Sequence, residues 1–178
     1  LDVIRDYIQN KNLIRDKLSR DINIPRALVK TIITGLTYGA KLVNNKKTSL
    51  YKDCGGDQKI IERIIVNDWI KSLEAVFKKA SVHLIDGKIE INNAVGIVRS
   101  IKTKDKPRGM NKPQAVAHIL QGYEREVLDT VIGNYDRNNI VLLLHDCVVF
   151  KGAVDSQEMS RITDKETGFD LSFEEGLY

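Results

Sequence analysis

Apolar residues recur every three to five positions at the start of the chain, at Val3, Ile4, Ile8, Leu13, Ile14 and Leu18, which predicts a helix or a broken pair of helices over residues 1–20. Asn23 and Pro25 supply start signals for the next helix, about Pro25 to Lys41, because Asn caps orphan amides and Pro is tolerated in a first turn. The polar stretch Asn44–Gln58, with its Asn, Lys and Gly pairs, predicts an exposed loop. One long amphipathic helix is expected next, with Ile61, Ile64, Ile65, Trp69, Leu73, Val76, Phe77 and Ala80 on its apolar face. Residues 82–101 alternate imperfectly around Asp86–Gly87 and predict a hairpin or two short strands. Lys102–Pro113, rich in cations, proline and glycine, predicts a mobile basic loop. A helix from about Gln114 to Tyr135 follows, with Val116, Ile119, Leu120, Tyr123, Val127, Val131 and Ile132 as its stripe. Two apolar runs, Ile140–Leu144 and Cys147–Phe150, then flank His145–Asp146, predicting a hairpin with an acid at its tip. Residues 160–178 give no clear element. Helices and strands mix without strict alternation, so the expected fold class is α+β.

Length and composition narrow this picture. The chain has 178 residues, 42% of them hydrophobic, enough for one real core and too few for several domains. A net charge of +4 suits a polyanionic partner without requiring one. Cys54 and Cys147 lack the spacing of a zinc site or disulfide framework and read as reduced thiols of a cytoplasmic protein. No apolar run approaches the roughly 20 residues of a membrane helix, and no leader opens the chain, so no membrane partner is expected. The chain begins with Leu1 rather than Met, which suits a piece of something longer.

Three constellations can carry chemistry. On the helix after Pro25, Arg26, Lys30, Thr34 and Tyr38 are spaced four apart and form one slowly drifting stripe. Arg26 and Tyr38 stand about 18 Å apart along the axis at about 1.5 Å per residue, roughly the length of an extended nucleoside triphosphate. Two cations near a helix N-terminus suit phosphates; the plainer reading is a surface helix with solvated basic residues. Gly35 and Gly39 favour a special role, because glycine inside a helix costs about 1 kcal/mol unless it ends the helix or admits another surface. The second constellation is Asp146: a carboxylate at the tip of an apolar hairpin suits Mg²⁺ bridging to a triphosphate, or is an ordinary turn residue. The third is His118, in A-V-A-H-I-L-Q-G-Y, beside an apolar stripe where packed histidines are also common.

Together these segments resemble the single-subunit RNA polymerases of phages and mitochondria, which share a right-hand fold with the family of bacterial DNA polymerase I. In that family a fingers helix carries an arginine, a lysine four residues on and a Tyr-Gly pair eight beyond it, as Arg26, Lys30 and Tyr38–Gly39 do here. The family's palm hairpin carries His-Asp between apolar strands, matched by His145–Asp146. A histidine followed four residues on by glycine, linked in the RNA polymerases to the ribose 2′-hydroxyl, is matched by His118 and Gly122, 28 residues ahead of Asp146. Weaker likenesses lie at Asp2–Val3, along Asn67–Ser72 and at Gly96. Gly35 stands where the RNA polymerases have threonine, and Cys147 where they have serine. The family's other catalytic aspartate has no match among Asp2, Asp6, Asp16 and Asp21.

The resemblance implies a C-terminal fingers and palm portion spanning 1–178, with fingers at about 20–100 and palm at about 101–178. It implies DNA-dependent RNA synthesis by two Mg²⁺ ions, with Asp146 as one metal ligand. Arg26 and Lys30 would hold the triphosphate, Lys30 would protonate pyrophosphate, and Tyr38 and His118 would test the sugar. Implied partners are NTPs, a DNA template, the RNA product and a second polymerase chain supplying the missing aspartate. That arrangement fits a split, heterodimeric phage enzyme in the host cytoplasm, inactive as this chain alone. The basic 102–113 loop and Lys46–Lys47 would contact phosphate backbones. Two alternatives stay open: a DNA polymerase I-like fragment, which Gln121–Gly122 also fits, and a non-catalytic nucleic-acid-binding subunit.

Overall fold

The computed structural model describes residues 2–144 and 147–173. It is α+β, with about 60% of the chain helical and two small antiparallel sheets. The helices are α1 (Asp2–Gln9), α2 (Lys11–Ile22), α3 (Arg26–Thr37), α4 (Ser49–Asp53), α5 (Gln58–Val66), α6 (Asp68–Ile85), α7 (Lys112–Asn134) and α8 (Ser156–Thr167). The strands are β1 (Glu90–Asn92), β2 (Val98–Ser100), β3 (Ile140–Leu144) and β4 (Cys147–Phe150). β1 pairs with β2, and β3 with β4. No helix among the described residues is long and apolar enough to cross a membrane.

The chain forms two compact units, Leu1–Ile89 with Ser100–Ala117, and Glu90–Arg99 with His118–Tyr178. In the first, α3 packs against α2, α4 and α6, while α1 lies on α6. Buried aliphatic residues such as Leu18, Val29, Ile33, Ile61, Ile64 and Leu73 make one continuous core. Tyr7 joins α1 to this core: its ring lies 5.9 Å from that of Trp69, and its hydroxyl accepts a 2.8 Å hydrogen bond from Arg15 Nε.

In the second unit, Met159 and Thr163 of α8 are buried, and the Thr163 hydroxyl donates to the Met159 carbonyl at 2.9 Å. Tyr123 meets Phe169 edge-on at 5.3 Å, and Tyr135 of the segment after α7 meets Phe150 of β4 at the same distance.

Several expected boundaries move, each for a local reason. The helix expected to reach Lys41 stops at Thr37, because Gly39 adopts φ 82° and closes the end. Gly39 N–H donates to the Leu36 carbonyl and Ala40 N–H to the Gly35 carbonyl, both at 2.9 Å, the two bonds of a Schellman end. The long amphipathic helix is two helices, because Asn67 leaves helical geometry at ψ 120° and its side chain caps α6 by accepting from Ile70 N–H. A short helix, α4, interrupts the expected 44–58 loop, started by the Thr48 side chain accepting from Tyr51 N–H. α8 runs into the unassigned tail, capped by Asp155 at its start and by Gly168 at its end. The basic segment is a loop, as expected, and backbone hydrogen bonds between Lys102 and Met110 and between Met110 and Ser100 close it.

Candidate functional site

α3 carries the cationic stripe. Its buried positions, Val29, Ile32, Ile33 and Leu36, fix one face on the core, so Arg26, Lys30 and Thr34 emerge on the exposed side. Lys30 makes no hydrogen bond or ion pair among the described residues. Arg26 is engaged: Nε lies 2.7 Å from Asp16 Oδ1, and Nη2 donates to Asn12 Oδ1 at 2.6 Å. Both partners sit on α2, so the guanidinium ties the start of α3 to that helix. Tyr38 is the half-buried C-cap residue of α3. Added atoms at Gly39 would meet Pro113 at 3.7 Å, so the Tyr38–Gly39 end of α3 lies beside the foot of the basic segment.

His118 lies on α7 in the second unit and is 7% exposed. Its Nε2 stands 2.9 Å from the Ile97 carbonyl, a contact that a protonated Nε2 satisfies as donor. Gly122, one turn further, receives the same turn between β1 and β2: a Cβ there would fall 2.6 Å from Asn93 Cβ and 2.9 Å from Ala94 N. Asn93 is itself buried, and its Oδ1 accepts from Ile97 N–H at 2.9 Å. The four-residue His118–Gly122 spacing therefore has a packing role here, holding the 93–97 turn on α7. Nothing in the sequence marked Asn93, whose side chain bonds Ile97 within the turn and the His118 carbonyl on α7.

β3 and β4 pair through Leu142 with Val149, Leu143 with Val148 and Leu144 with Cys147, with an irregularity between Ile140 and Leu142. His145 and Asp146 lie outside the described residues. The paired ends at Leu144 and Cys147 stand on either side of them in the chain. β3 exposes Val141 by 57% and Leu142 and Leu143 by 47% each, unusual for a strand so apolar.

Among the described residues no three His, Cys, Asp or Glu side chains gather as a metal group. Cys54 and Cys147 are free thiols. Burial pushes the Cys54 thiol up, with Asp53 and Asp57 adding to the shift, which makes it a poor thiolate. Burial likewise raises the Tyr135 phenol, helped by Glu158 and Asp155. Both are shifts of packed groups apart from the candidate residues.

No protein-family model, curated protein or solved structure matches the chain.

Proposed function

We propose that this chain is the nucleotide-binding part of a template-copying polymerase, making RNA by two-metal nucleotidyl transfer. The observation that carries the reading is α3: one helix presents an exposed Lys30, without an ion pair among the described residues, two turns ahead of a Tyr38–Gly39 end, in a chain whose later strands β3 and β4 flank His145–Asp146 in sequence. The resemblance to the single-subunit RNA polymerases rests on the same residues.

In this reading Lys30 neutralises the triphosphate and can donate a proton to departing pyrophosphate. Arg26 joins it by exchanging Asp16 for a phosphate oxygen; an exposed ion pair of this kind is worth at most about 1 kcal/mol, so the exchange is cheap. Tyr38 abuts the sugar and the nascent base pair. Asp146 would hold a Mg²⁺ ion, which would supply charge stabilisation for in-line attack by the 3′-hydroxyl. A second carboxylate comes from another chain or segment. The half-exposed Val141, Leu142 and Leu143 support that dependence, since successive strand residues point to opposite faces and a two-stranded hairpin apolar on both is marginal by itself.

The buried, bonded state of His118 favours a second version of the same chemistry, in which this residue holds α7 and the 93–97 turn together and leaves sugar choice to Tyr38. The DNA polymerase alternative then differs only in substrate.

The test is primer extension by the complex that co-purifies with this chain, run in parallel with rNTPs and dNTPs and with Asp146→Ala. Ribonucleotide incorporation that falls at least about a hundredfold in the variant supports the reading. Variant activity within a few fold of the parent removes Asp146 as a metal ligand, and preference for dNTPs moves the chain to the DNA polymerases.

A further inference from the structure

The whole chain has 28 basic and 24 acidic residues, a net +4, and residues 102–112 alone hold five cations (Lys102, Lys104, Lys106, Arg108, Lys112) against one acid, Asp105. Five minus one is again +4, so the rest of the chain sums to zero. Elsewhere acids equal the cations in number, and some pair directly: Arg26, Arg125 and Arg161 each meet a carboxylate at 2.7–2.8 Å. Lys102, Lys104, Arg108 and Lys112 are exposed and have no ion pair among the described residues. Clustered like charges repel, so an unmatched cluster costs stability unless an anion is recruited.

The segment is also built. Lys102 N–H donates to the Met110 carbonyl at 2.8 Å and Met110 N–H to the Ser100 carbonyl at 2.9 Å, closing the loop at its neck. Thr103 N–H and Gly109 N–H both donate to the Lys106 carbonyl, and the Thr103 hydroxyl accepts from Lys106 N–H at 3.1 Å. The neck leaves no room for a side chain at position 109, where a Cβ would lie 2.6 Å from the Ile101 carbonyl carbon and Lys102 N. At the exit, Asn111 and Gln114 cap each other reciprocally at the start of α7, at 2.9 and 3.0 Å. The ordering entropy is thus lost on folding rather than on binding, the condition for a preorganised surface.

We propose that this closed loop is a nucleic-acid-binding surface that grips the sugar-phosphate backbone without reading bases. An anionic membrane fits less well, because interfacial binding combines cations with apolar side chains that insert. The apolar residues of the neck, Ile101 and Met110, are instead turned partly inward. The surface rests on its own charge and geometry and stands whether or not the chain polymerises.

The experiment measures binding of the full chain to fluorescein-labelled single-stranded and duplex oligonucleotides by anisotropy across a salt series. One variant carries Lys102→Gln, Lys104→Gln, Arg108→Gln and Lys112→Gln; a charge-matched control carries Lys17→Gln, Lys59→Gln, Lys78→Gln and Lys165→Gln, all exposed. Lys106 is left in place because its Nζ contacts Ser100 Oγ at 3.3 Å. The loop variant should bind at least about tenfold more weakly at low salt, with a log–log salt slope shallower by about 3, while the control stays within about threefold. Lys104→Gln alone should reproduce about a quarter of the slope change, which keeps the inference testable if the fourfold variant misfolds. Equal losses in loop variant and control, no binding by the native chain, or loop-dependent binding to phosphatidylserine vesicles tighter than to oligonucleotides would each overturn it. Intact binding by a chain whose purified complex never extends a primer would sink the catalytic reading and leave this surface standing.

Discussion

The first unit is supported from within, whereas the hairpin of the second is not. Beneath α3, Ile61 and Leu73 are fully buried, and α2, α4 and α6 all contact the helix that carries Lys30. β3, by contrast, presents three consecutive apolar residues that are about half exposed, and its sheet has only two strands among the described residues. Burial of apolar area is what stabilises an element, so α3 is held firmly and β3 weakly. On the proposed reading, the chain frames half of a site and relies on another chain for the rest.

The largest expected effect strikes the supported region. Leu73→Ala should lower the unfolding free energy by about 2–5 kcal/mol in a urea melt, because a fully buried leucine leaves a cavity. A loss below about 1 kcal/mol would mean that the first unit is no better packed than the second. Next in size, Gly122→Ala should cost about 1–3 kcal/mol, since the new methyl meets the backbone at Ala94. Hydrogen exchange should rise at Ile97, whose amide is held by Asn93. Gly39→Ala should cost about 1 kcal/mol, the penalty for left-handed geometry at the end of α3, with no steric term because its surroundings are ordinary contacts. The smallest stability effect belongs to Leu142→Ser: within about 0.5 kcal/mol for the isolated chain, as for an exposed position. On the proposed reading the same substitution should reduce recovery of a partner chain in co-purification, which sharpens the contrast between the two regions.

Much of the fold was legible because helical periodicity is a strong local signal. The stripe on α7 and the two strands either side of His145–Asp146 follow from the spacing of apolar residues, which over residues 1–20 fitted one helix as well as the observed pair. The misread boundaries depend on single residues whose signal competes with periodicity. Asn67 interrupts an apolar pattern that continues on both sides, and Gly39 ends a helix whose sequence carries on with Ala40 and Lys41. α8 was hidden because it buries only Met159 and Thr163 on an otherwise polar helix.

The site was less legible than the fold. The face of Lys30 follows from the buried positions of α3, but the capture of Arg26 by Asp16 and Asn12 is a tertiary contact that no spacing encodes. His118 shows the same limit: its four-residue spacing to Gly122 is visible in the sequence, while the turn that both residues receive is not. The basic segment looked loose because composition reports charge and turn residues, not the hydrogen bonds across its neck.

On the proposed reading Lys30 and Asp146 act in the same reaction, and a double-mutant cycle on primer extension by the co-purified complex tests that most directly. Residues that act as a unit lose activity non-additively. Lys30→Ala and Asp146→Ala should each reduce kcat/KM at least about a hundredfold, and the double variant should lose far less than the product of the two. Losses that multiply, or a Lys30→Ala enzyme as active as its parent, would contradict the account.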